Sequence, residues 1–116
     1  MAFDIEQTLL EWLPKKTGYP CYIDVPLSRP DRFVSIERTG GEASIGKDEP
    51  LLAVQAWGPT RADASAIALE VRDALILHAC EILQVLKCDV TSIYNFPDPD
   101  SRQARYQLDV EMITRL

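Results

Sequence analysis

The last stretch of the chain, ARYQLDVEMITRL, alternates strictly from Arg105 to Met112. Tyr106, Leu108, Val110 and Met112 are apolar, while Arg105, Gln107, Asp109 and Glu111 between them are polar. Successive side chains of a β-strand point to opposite faces, so this period of two predicts a strand with one buried face. Its other face is wet or meets a polar partner. A strand of this kind needs a second layer over its apolar side, which excludes an all-helical fold.

Other segments supply that layer. Asp4 precedes IEQTLLEWL, with Gln7 three residues on, a capping-box pattern that satisfies free N–H groups at a helix start. Ile5, Leu9, Trp12 and Leu13 recur at helical spacing, and Pro14 is expected to end this helix, giving residues 4–13. Pro14, Pro20, Pro26 and Pro30 stiffen an extended connection, within which CYIDV can form a brief edge strand. RFVSIERT and LLAVQAWG read as two strands of a hairpin, with Gly40, Gly41, Gly46 and Pro50 in a long, mobile loop between them.

Thr60, with Asp63 three residues later, opens the main helix. Ala64, Ala68, Val71, Leu75, His78 and Ile82 form one stripe, and Leu69, Ile76 and Leu83 form a second apolar line. No Gly or Pro interrupts residues 61–94, so the helix either breaks near His78 or runs to Leu86. CDVTSIYNF is a further strand, and PDPDSRQ turns the chain into the last one. The expectation is one α+β domain over residues 1–116. It has a roughly four-stranded, mostly antiparallel sheet with two helices on one face, in the order α-β-β-α-β-β.

Composition narrows the function. The net charge is −6 over 116 residues, and no three basic residues are consecutive. Tight binding to nucleic acid by phosphate neutralisation, or to an anionic membrane, is therefore disfavoured. The N-terminal stretch does not read as a secretory signal, and no apolar run approaches membrane-spanning length. Cys21, Cys80 and Cys88 lack paired spacing and read as free thiols of a reducing compartment.

Candidate chemistry is sparse. GEASIGKD matches the GxxxxGK spacing of a phosphate loop, but Asp48 stands where a hydroxyl is needed. A strand follows, not the helix whose N-terminal amides would face an anion. His78 and Cys80 are two apart on a helix and diverge, so His78 reads as a buried, hydrogen-bonded core residue. Asp98 and Asp100 in PDPD read as a solvated turn rather than a carboxylate pair. Trp57, Tyr94 and Phe96 either anchor a partner or close the rim of the core. No catalytic residues, cofactor or metal site are expected.

Four motifs in order carry a resemblance: RPDRFVSIERTGG, a strand ending in Trp57 before Thr60-Arg61, an alanine-rich helix ending VRDAL, and a DPDS turn leading to RYQ. Over residues 29–115 the chain resembles the tail-terminator, or tail-completion, proteins of long-tailed bacteriophages and prophages. It departs from the family's DSGxPRY pattern, with Arg102 in place of glycine and Ala104 in place of proline. The resemblance implies a non-enzymatic virion protein, made in the bacterial cytoplasm and placed on the tail. It implies a ring, typically a hexamer and monomeric before assembly, that caps the tube and joins the head. The implied partners are the tail tube protein and the head connector or stopper. DNA passes through the ring without specific binding, and no membrane is involved. A head-completion or neck adaptor is the alternative, followed by a small ligand-binding α+β domain. The candidate contact residues are Gly40, Gly41, Glu42, Lys47, Asp48, Glu49 and Trp57, with Glu42, Asp48 and Glu49 expected to approach the channel.

Overall fold

The computed structural model describes residues 2–116. Helix α1 (Ile5–Thr17) is capped as its sequence predicts, with the Asp4 carboxylate accepting from the Gln7 N–H at 3.3 Å. It does not stop at Leu13. Pro14 sits inside it, its lost hydrogen bond and ring clash tolerated while Leu9 and Leu13 are buried in the core and Gly18 closes the last turn. The last turn is closed instead by Gly18, left-handed at φ 83°, whose N–H donates to the Pro14 carbonyl at 2.8 Å. Lys16 in that turn also pairs with Glu81 at 2.6 Å.

The chain then forms β1 (Cys21–Tyr22), β2 (Phe33–Ser44) and β3 (Lys47–Gly58) before helix α2 (Arg61–His78). The Thr60 hydroxyl caps α2 by accepting from the Asp63 N–H at 3.2 Å. Of the two endings open to this helix, it takes the earlier. A single 3₁₀ turn, Ala79–Glu81, follows His78, and β4 (Val85–Asn95) begins three residues before the CDV motif. Long-range pairing decides this. Strand β5 (Ala104–Arg115) extends to the chain's end, and Val85 pairs with its buried Thr114. That partner is worth more to Val85 than another helical turn. His78 is consequently not a core residue: it is exposed at the helix end, with Nδ1 3.2 Å from Glu81.

The sheet has five strands, in the order β1-β2-β3-β5-β4, rather than four. The fifth is the two-residue edge β1, the brief edge strand read within CYIDV but left out of the expected count; it is parallel to the start of β2, and the other pairings are antiparallel. The α+β class and the two helices stand, and the element order gains a strand before the hairpin. Helix α1 lies over β1 and β2, and α2 over β3, β5 and β4. Ile5, Leu9 and Leu13 of α1 and Ile67, Val71 and Leu75 of α2 share one core with Val34, Ile36, Val54, Leu108 and Val110. The opposite face of the sheet carries no helix among the described residues.

The polar turn before β5 forms around Asp98, whose carboxylate accepts from the N–H groups of Asp100 and Ser101. These bonds hold its carboxyl below the usual range, the Ser101 side chain contributing most. Arg102 follows at φ 59°, the left-handed region, at the position where the tail-terminator pattern has glycine. Arg102→Gly is expected to stabilise the fold by roughly 0.5–1 kcal/mol, since glycine enters this region without Cβ crowding. Reversible thermal unfolding of the two proteins measures it, and an unchanged or lower Tm contradicts the assignment.

Candidate functional site

The glycine-rich stretch is not a loop. Strand β2 continues through Gly40 and Gly41 to Ser44, and β3 starts at Lys47, so only Ile45 and Gly46 turn the chain. Gly46, at φ +85°, allows this two-residue turn. The register shift between Arg38 and Gly40 leaves Thr39 as an extra residue, a β-bulge that turns the strand while pairing resumes. Gly41 is needed at closest approach. At φ +108°, a Cβ there would lie 2.2 Å from the Glu49 carbonyl oxygen.

Strand alternation separates the candidate acidic residues Asp48 and Glu49, which are consecutive in β3. Asp48 falls on the helix side, where Arg38 grips it with two hydrogen bonds of 2.6 and 2.7 Å. Arg38's own backbone N–H donates to Glu6 of α1 at 2.9 Å. The guanidinium holds the Asp48 carboxyl below the usual range, and the carboxylate in turn raises Arg38. Asp48 is thus a structural clamp rather than a free charge. Because its pKa is depressed on folding, its contribution is present above the unfolded value and lost as pH falls through the folded one. Asp48→Asn should cost about 1 kcal/mol at neutral pH, the pair being partly exposed, and should flatten the acid limb of the stability curve. Chemical denaturation across pH tests this.

Glu42 and Glu49 lie on the helix-free face, directly opposite each other. Lys47 moderates their repulsion from 3.6 Å to Glu49. Around them the sheet forms an open hollow of about 360 Å³. Strands β4 and β5 complete it with Lys87, Asp89 and Glu111, residues the sequence reading did not single out. Their alternation with apolar neighbours was the available signal, but only the order β3-β5-β4 brings them beside Glu49. Glu37 and Asp109 continue this acidic face, in line through Ala53 of β3.

Beyond Asp109 the face becomes a neutral hydrogen-bonded ladder across four strands. The Ser35 hydroxyl donates to Gln55 at 3.1 Å, Gln55 to Gln107 at 2.9 Å, and Gln107 to the Tyr94 hydroxyl at 2.8 Å. Trp57 ends the ladder, its indole N–H donating to Ser35 at 2.9 Å. Trp57 stacks on Phe33 at 5.1 Å, with the Arg29 and Arg105 guanidiniums 5.0 and 4.9 Å from its ring. It is 4 % exposed, so of its two readings it closes the rim of a second, small core and offers a partner little surface. Burial among these rings lowers the pKa of Arg105.

The remaining candidates stay apart. Cys21, Cys80 and Cys88 are free, and burial pushes the thiols of Cys21 and Cys88 up to about 12, which makes them poor nucleophiles. Among the described residues, no three His, Cys, Asp or Glu side chains are placed to hold a metal ion. Among them, too, no helix is long and apolar enough to cross a membrane. What the helix-free face offers is a broad charged surface on which carboxylates outnumber cations, the excess lying around Glu42, Glu49 and Glu111. No protein-family model matches the chain, and no curated protein matches it.

Proposed function

We propose that the chain is a structural subunit of a tailed-phage particle. In this reading it caps the completed tail tube as a ring, ends tube polymerisation and presents a surface for head joining. The observation that carries it is the helix-free sheet face, with Glu37, Glu42, Glu49, Asp89, Asp109 and Glu111 against Lys47, Lys87, Arg105 and Arg115, of which Arg105 lies against the Trp57 ring and Arg115 beside Lys47 at the sheet's end. Turned toward the channel of a ring, such a face repels phosphates and lets DNA slide without holding it. The run of motifs from residue 29 to residue 115 supports the same reading. The expectation for the channel changes in one respect: Asp48 is replaced by carboxylates of β4 and β5.

Deletion of the gene tests the proposal. Free heads together with tails of abnormal length are expected. Tails of normal length that fail to join heads would point to a neck adaptor instead. Replacing Glu42, Glu49, Asp89 and Glu111 by lysine should leave a folded protein but block DNA passage or packaging. Normal infectivity of that variant would remove the channel assignment.

A further inference from the structure

The sheet ends on one side in an open edge. Strand β4 pairs only with β5, so the outer N–H and C=O groups of eleven residues, Val85–Asn95, have no strand beside them among the described residues. Such an edge is a template for another chain, and proteins usually shorten, cover or charge it. Here the strand is VLKCDVTSIYN, with one lysine, one aspartate and no proline, and its register to β5 shifts at Leu86 and Thr91, so the stretch Lys87–Val90 is the regular part of the edge between two bulges. Although the whole chain carries −6, this edge is locally neutral.

An apolar flank accompanies the edge. On α2, at about 100° per residue, Leu69 and Ile76 share a side with Arg61 and Ser65. Arg61 donates to the Tyr106 hydroxyl of β5 at 3.2 Å. Tyr106 pairs with Asn95 of β4, so this side of α2 faces the β4 edge. The other side carries Glu70, whose carboxylate raises the pKa of Tyr19, just past the end of α1. Leu69 and Ile76 are 42 and 52 % exposed, and Leu83 and Leu86, at the entry to β4, are 79 and 47 % exposed. The second apolar line of the sequence is therefore unburied, and it lies beside an unpaired strand.

We infer that the β4 edge and this flank form a two-fold contact with a second copy of the chain. The two β4 strands run antiparallel and α2 packs beside its symmetry mate. The edge itself argues for a like partner. Lys87 and Asp89 lie on the same face, 3.3 Å apart, with side chains 63 and 51 % exposed. A two-fold axis at Cys88 places each Lys87 opposite Asp89 of the partner subunit. One register thus forms two ion pairs across the strands while bringing leucine flank to leucine flank. The contact belongs to the free protein, in place of the monomer that the resemblance implies before assembly, and it is distinct from the head-to-tail contacts of a ring; the tail-capping role is read from tail length rather than from the mass of the free protein.

The experiment uses charge exchange, read by sedimentation or by light scattering on the eluting protein. The full chain should be a dimer at micromolar concentration. Lys87→Asp and Asp89→Lys alone should each weaken it about tenfold or more, because both cross-strand pairs become like-charged. Circular dichroism should show both variants folded, as the two positions are exposed. Mixed in equal amounts, they should recover the dimer, since each aspartate of one variant then meets a lysine of the other. That recovery requires the pair to act between copies. A wild-type monomer at millimolar concentration overturns the inference. So do dimers that ignore both changes, a mixture that stays monomeric, or a closed ring whose variants do not complement each other.

Discussion

Leu108→Asp is expected to leave the chain unfolded. Leu108 is 0 % exposed at the middle of β5, flanked by Val54 of β3 and Ile93 of β4. Truncating a buried leucine already costs about 2–5 kcal/mol. An aspartate adds a carboxyl with no cation on the core side to meet it, and even its neutral form leaves polar atoms unpaired. The sum is on the order of 5 kcal/mol or more, comparable with the entire stability of a domain this size. Far-UV circular dichroism and the loss of a cooperative melt measure it. A soluble variant that melts cooperatively would show that β5 faces the other way.

Gly41→Ala should be the most damaging change in the hairpin, and Gly40→Ala next to it nearly silent. A Cβ on Gly41 meets three backbone atoms of β3, of Glu49, Pro50 and Leu51, at 2.2 to 2.9 Å, and φ is +108°. Backbone cannot rotate away as a side chain can, so the strands must part or the register must slip. A loss of about 3 kcal/mol is expected, from the strained φ together with the lost pairing. At Gly40 an added Cβ meets nothing within 4 Å, and φ is not positive. Denaturant titration of the two variants separates them. Equal stabilities would mean that the hairpin opens at little cost.

The same pair of glycines shows where the sequence stopped being informative. Gly-Gly beside Gly46 and Pro50 reads locally as a loop, because each residue taken alone weakens a strand. In the fold the bulge at Thr39 and the left-handed Gly41 let both strands run on together, so the glycines extend the hairpin. Pro14 misled in a similar way, since its local penalty is offset by the burial of Leu9 and Leu13 and the cap at Gly18. His78 lay on the periodic stripe and was expected to be buried. The helix ended under it because Val85 had a partner in Thr114.

Local signals with a local cause were legible in the chain alone. The caps at Asp4 and Thr60, the period-two face of β5, the α+β class and the core line Ala64, Ala68, Val71 and Leu75 all follow from spacing of three, four or two. Tertiary structure alone decided which strands are neighbours. Pairing β3 with β5 and β5 with β4 gathers Glu49, Glu111 and Asp89 onto one face and leaves the outer edge of β4 unpaired among the described residues, while pairing β2 with β3 sets Asp48 against Arg38 and Trp57 against Phe33 and Ser35. Those outcomes depend on contacts between different strands. Periodicity fixes which way a side chain points along its own element, but not what stands opposite it.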